Sequence, residues 1–142
     1  MAVANGSKKF LQQVMKIMSE SRGFDRNLSK VRVISGGGGK CVAEMTVEEE
    51  HQNRGGTLHG GLTATLVDVV STAALMTTEK AVPGVSVDLN VSYISAAQEG
   101  DSIVINADTL KVGRTLAFLT VDITNKDSGK LIAKGSHTKY IG

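Results

Sequence analysis

From Gly60 to Thr78 the chain reads GGLTATLVDVVSTAALMTT, nineteen residues with one charge, Asp68. A segment this apolar needs burial on nearly every side, so the rest of the molecule must be built around it. A carboxylate inside such a segment needs a partner or a use, because an unpaired buried charge is costly. At its start, His59-Gly60-Gly61 reads as a helix N-terminus whose two glycines leave backbone N–H groups bare. That is a natural seat for a developing negative charge. A lone acid and an anion-stabilising turn on one short segment are the two halves of a hydrolytic site. The 62–76 stretch is too short and too rich in Thr and Ser to cross a bilayer.

The flanking sequence supplies what can cover that segment. Ser7 to Arg22 is amphipathic, with Phe10, Leu11, Val14, Met15 and Met18 on one stripe, and predicts a helix ended by Gly23. Leu28–Ile34 and Lys40–Val47 predict two strands joined through Gly36–Gly39. Glu48–Leu58 is a polar loop. After Pro83-Gly84, alternation through Val85, Val87, Leu89, Val91 and Tyr93 predicts a strand, followed by strands at 103–110, 115–125 and 131–139. Strands joined by short turns are antiparallel. One apolar helix against one curved antiparallel sheet is the economical α+β arrangement.

A chain of 142 residues suits a single domain, 1–142. Aromatic residues are 4% with no tryptophan, so the core must be Val, Leu, Ile, Ala and Met. A net charge of +2 gives no footprint for nucleic acid, although a mildly basic surface helps attract an anionic ligand. Cys41 stands alone, which rules out an intrachain disulfide and favours a reducing compartment. The first residues lack the apolar core of a secretion signal. The cytoplasm is the expected location, with an association with mitochondria left open.

The functional groups can be argued individually. Gly60 has no side chain, so a carbonyl oxygen can approach its N–H closely. At a helix start that N–H also carries the positive end of the dipole. Asp68 suits a general base, since apolar surroundings make it a better base near neutrality. The two lie eight residues apart, roughly 12 Å along a helix. One water near Asp68 cannot then lie against a carbonyl held by Gly60 of the same helix. Two antiparallel helices related by a two-fold axis can meet that demand, so we expect a homodimer with shared sites. His59 is expected to hold its loop through ring hydrogen bonds. His51 and His137 show no partner pattern and are expected to be surface or satisfied histidines. Ser71 has no Gly-x-Ser-x-Gly context, which argues against a serine triad. GGGGK at 36–40 fails as a phosphate loop, because Ile34 and Cys41 occupy positions that need Gly and Ser or Thr. No spacing implies a metal.

HGGLTATLVD at 59–68, PGVSVDLNVSY at 83–93, GRTLAF at 113–118 and KGSHTKYIG at 134–142 resemble the hotdog-fold acyl-CoA thioesterases. The likeness runs from about Leu11 to the end. It implies a hotdog fold, with about six antiparallel strands curved around the central apolar helix, and an N-terminal helix. It implies hydrolysis of medium- to long-chain acyl-CoA by water, with no cofactor, since coenzyme A is part of the substrate. By this resemblance Asn53 joins Gly60 in binding the thioester oxygen, Ser86 orients the water with Asp68, and His59 and Gly61 support the loop. The resemblance also lays a coenzyme A groove along Ser86, Tyr93, Ile94, Ser95, Ala96, Ala97, Gln98, Lys111, Val112, Gly113, Arg114, Thr115, Leu116 and Tyr140. Lys111 and Arg114, flanking a glycine turn, suit its phosphates. A dimer of dimers and a lipid-transfer protein partner are further implications. The rivals are a hotdog hydratase, for which no suitable His–acid pairing is visible, and a non-catalytic acyl-CoA binder or lipid-metabolism adaptor.

Overall fold

The computed structural model describes residues 2–142, with side chains described from Ser7 onward. The chain runs α1 (Ala2–Ser19), β1 (Arg32–Gly37), β2 (Lys40–Thr46), α2 (Gly60–Met76), β3 (Val85–Tyr93), β4 (Ser102–Val112), β5 (Leu116–Asn125) and β6 (Leu131–Tyr140). The six strands form one antiparallel sheet in the order β1-β2-β4-β5-β6-β3. This is the helix, sheet and central-helix arrangement that the sequence implies. Two short 3-10 turns, at Phe24–Leu28 and Glu49–His51, have no signature in the sequence pattern. The first displaces the start of β1 from Leu28 to Arg32. Leu28 and Val31 are buried, but the Phe24–Leu28 turn and a Val31 N–H bond to the Leu28 carbonyl keep that stretch out of the ladder.

The β1–β2 hairpin turns at Gly38-Gly39, with φ of 61° and 84°. Positive φ at both central residues matches the twist of paired strands, and glycine adopts it without a steric penalty. α2 carries the chain from β2 to the far edge strand β3 and packs on β2, β4, β5, β6 and β3 as it goes. Leu66, Val67, Val70 and Ala74 meet Ile103, Ile105, Val121 and Ile123 of β4 and β5 in the core. Gly135 of β6 sets the height of the helix over the sheet. A Cβ there would lie 2.6 Å from Cγ1 of Val67, the residue before Asp68.

α2 is not buried on every side, contrary to the reading of its composition. Ala64, Thr65, Asp68, Val69, Thr72 and Met76 are only half-buried, and they form one stripe at helical spacing. The alternating residues of β3 are likewise uncovered. Val85 is 67% exposed and Val87 60%, on a strand whose outer edge has no partner in the single chain. A half-buried helix stripe beside an apolar edge strand is the kind of surface a second chain covers.

Candidate active site

The start of α2 is built largely from backbone groups. His59 is the N-cap, and its Nδ1 accepts from Gly61 N–H at 2.9 Å. The His59 carbonyl receives Thr63 N–H at 2.9 Å and the Thr63 hydroxyl at 3.2 Å. Among the described residues no acceptor meets Gly60 N–H. It therefore stands open at the positive end of a 17-residue helix. Tyr93 braces the turn by donating its hydroxyl to the Gly60 carbonyl at 2.8 Å. The following segment lies against the same loop. Leu58 N–H donates to the Ala97 carbonyl, and Gln98 pairs with Thr57.

Asn53 lies on that loop, near the His51 carbonyl that accepts His59 N–H. Its Oδ1 accepts from Gly55 N–H at 2.9 Å and Thr57 N–H at 3.1 Å, and its Nδ2 donates to Thr57 Oγ1 at 2.9 Å. Two backbone donors on one atom identify that atom as the oxygen. The amide nitrogen is thus oriented by the loop and keeps a second hydrogen without a partner in these bonds. The turn-capping role and a free donor coexist in one side chain.

A different device occupies the middle of α2. The Asp68 carboxylate is 44% exposed in the single chain, so the full burial expected from its neighbours in sequence is not found. Its Oδ1 lies 3.9 Å from Nε2 of His137. His137, on β6, is 1% exposed and is no surface residue. Its Nδ1 lies 2.8 Å from Ser71 Oγ and its Nε2 2.7 Å from Ser86 Oγ. Burial pushes the imidazole below its usual range, with Lys139 acting the same way and Asp68 and Asp88 opposing. A neutral ring has one donor and one acceptor.

The direction of the proton chain follows from Ser71. Its hydroxyl donates to the Asp68 backbone carbonyl at 3.0 Å, so its oxygen must accept from His137 Nδ1–H. Nε2 is then the bare nitrogen and accepts the Ser86 hydroxyl proton. Ser86 Oγ is left with lone pairs to receive a hydrogen from a further group. Ser71 and His137 are site residues that the sequence reading missed. The only local signal was a buried-type segment carrying Ser71, since His137 lies 66 residues away.

Lys139 adds a cation. It is 4% exposed and donates from Nζ to Thr72 Oγ1 at 2.6 Å, while the Thr72 hydroxyl donates to the Asp68 carbonyl at 2.8 Å. Burial lowers its ammonium from the ordinary range, and Asp68 pulls the other way.

These devices stay apart within one chain. Tyr93 pairs with Ala133 and Val85 with Tyr140, seven residues further along β6, roughly 23 Å. Tyr93–Gln98 therefore sit with the Gly60 turn. Lys111–Leu116 and Tyr140 sit beyond Ser86, where Ile141 N–H donates to the Thr115 carbonyl and Leu116 pairs with Tyr140. The residues expected to form one coenzyme A groove are thus not brought together by a single chain. Among the described residues there is no cluster suited to a metal, and no helix is long and apolar enough to cross a membrane.

Comparison with known proteins places this architecture. The model of the thioesterase superfamily matches residues 55–132, which include Gly60, Asp68, Ser71 and Ser86. Acyl-coenzyme A thioesterase 13 of Mus musculus is 59% identical over 93% of this chain and 94% of its own length. The crystal structure of zebrafish thioesterase superfamily member 2 is 59% identical and superposes with a TM-score of 0.94, over 95% of this chain and 98% of the other. A hypothetical thioesterase from Streptococcus pneumoniae, solved with coenzyme A, gives a TM-score of 0.73 at 26% identity, over 78% of this chain and 84% of its own. The chain belongs to the thioesterase superfamily and is an enzyme of the thioester-hydrolase class. Both the resemblance read from the sequence and the hotdog fold it implied are borne out.

Proposed function

We propose that this acyl-CoA thioesterase cleaves medium- to long-chain substrates by water attack, at sites that two copies share. The carrying observation is the directed chain from Ser86 through His137 and Ser71 to the Asp68 carbonyl. It leaves the Ser86 oxygen ready to accept beside a half-exposed carboxylate. A water between Asp68 and Ser86 gives one hydrogen to each and keeps a lone pair for the carbonyl carbon. Asp68 takes the proton as the C–O bond forms. The carbonyl oxygen becomes an oxyanion held by Gly60 N–H and the free Asn53 hydrogen of the other copy. The C–S bond then breaks, the coenzyme A thiolate takes the proton from Asp68, and a free fatty acid remains. Covering the part of the α2 stripe that does not face α1, together with the β3 edge, by a second copy joins the two half-sites and the two groups of groove residues. The same logic extends to a dimer of dimers.

The test is thiol release from palmitoyl-CoA by wild type and by Asp68→Asn. We expect turnover to fall at least ~100-fold with binding retained, since the amide keeps the shape and loses the base. Equal turnover in both proteins rejects the assignment of Asp68. Binding without release by wild type supports the non-catalytic acyl-CoA binder instead.

A further inference from the structure

We propose that the cleft between α1 and α2 receives the acyl tail, so that α1 sets the chain length the enzyme prefers. This rests on the thioesterase reading above. The cleft holds about 220 Å³. One wall is Leu11, Val14, Met15 and Met18 of α1, and the other is Val69, Ala73 and Met76 of α2. Asp68, Thr72 and Lys139 stand in the same lining. The hydrogen bonds from Lys139 to Thr72 and from Thr72 to the Asp68 carbonyl bind these three together. Apart from Asp25, in the turn that follows α1, the polar lining is Asp68, Thr72 and Lys139, where the cleft meets the reaction centre, while the α1 wall is apolar. That is the polarity of a fatty acyl group, whose only polar atoms lie at the thioester. Three of the seven wall residues are methionines. Unbranched and soft, they can repack around alkyl chains of different length.

A second cavity of about 290 Å³ lies beside the Gly60 turn and is the obvious competitor. Its lining includes Asn27, Glu50, His51, Gln52 and His59, with Phe24 and Leu62 the large apolar members. An alkyl chain there would displace water from polar groups without replacing its hydrogen bonds. In the α1–α2 cleft each methylene gains apolar walls, worth about fourfold in affinity when fully buried.

The test compares kcat/KM for butyryl-, octanoyl-, dodecanoyl- and palmitoyl-CoA in wild type, Met18→Trp, Met18→Ala and Leu62→Trp, each checked for cooperative thermal unfolding. Filling the cleft with Met18→Trp should lower the long-to-short ratio at least tenfold, and emptying it with Met18→Ala should move the optimum to longer chains. If Met18→Trp does not fold, the Met18→Ala shift decides. An unchanged ratio in the folded Met18 variants overturns the cleft assignment, as does a shift produced by Leu62→Trp alone. In either case acyl-CoA hydrolysis by wild type leaves the thioesterase reading standing. No hydrolysis of any of the four substrates by wild type overturns both.

Discussion

In the proposed mechanism the two ends of the reaction are supplied by unlike parts of one helix. At Gly60 the working group is a backbone N–H, fixed by an N-cap and a tyrosine brace, and it does not titrate. At Asp68 it is a carboxylate backed by a serine, a histidine and a second serine, all of which depend on side-chain placement. In that mechanism the first device stabilises charge and the second moves protons. Mounting both on a rigid helix at roughly 12 Å keeps each device accurately placed and, in the proposed mechanism, leaves either chain unable to complete the reaction alone. The contrast predicts that mutations at the two places fail for different reasons and can correct one another across subunits.

That cross-correction is the largest effect to look for. Gly60→Val crowds the oxyanion seat, whereas a single methyl would only touch the Tyr93 ring, 3.5 Å away. Gly60→Val and Asp68→Asn should each lose at least ~100-fold in turnover. Mixed one to one and allowed to exchange subunits, they should regain up to about a quarter of wild-type activity. Half the dimers are then mixed, and each of those carries one intact site of two. Activity that stays at the level of the single variants means that the two halves are not shared between copies.

How much of this was legible from sequence depends on how local each feature is. The bounds of β3 and the start of α2 follow from alternation, a proline-glycine pair and a histidine-glycine turn within a few residues. His59 could be assigned to its loop for the same reason. His137 could not be assigned, because its partners Ser86 and Ser71 lie 51 and 66 residues away. They meet only through the β3–β6 register and the seating of α2 on Gly135. The exposure of Asp68 does not follow from the sequence, because a stripe facing an open cleft beside α1 and a stripe facing the core have the same composition. Sequence shows that a residue avoids water, but not what keeps the water away.

A smaller effect is expected at the proton-directing residue. His137→Gln removes the paired ring nitrogens and should lower kcat up to about tenfold, the worth of one good hydrogen bond, while KM changes little. The pH profile distinguishes this from simple loss of packing. The folded imidazole is held below its ordinary 6.5, mainly by burial, so the unfolded chain binds its proton first as pH falls. Stability from this group is therefore present above about pH 6.5 and is lost as pH falls below it. Protonation also fills Nε2 and turns the Ser86 hydroxyl away. Wild type should lose melting temperature and kcat together on that acid side, and His137→Gln should lose less of each. Parallel acid profiles in the two proteins would remove His137 from the proton chain.

The smallest effect belongs to the brace at the other end. Tyr93→Phe keeps the ring packed beside Gly60 and removes only its hydrogen bond to the Gly60 carbonyl. An exposed neutral hydrogen bond contributes little, so a two- to fivefold fall in kcat is expected, roughly 0.5–1 kcal/mol. Tyr93→Ala removes the ring as well and should cost more. The backbone device gains its accuracy from several modest restraints, so losing one should loosen it without abolishing it, and without altering the pH profile set by His137. If Tyr93→Phe instead shifts that profile, the two ends of α2 are coupled within one chain, and the separation drawn between them fails.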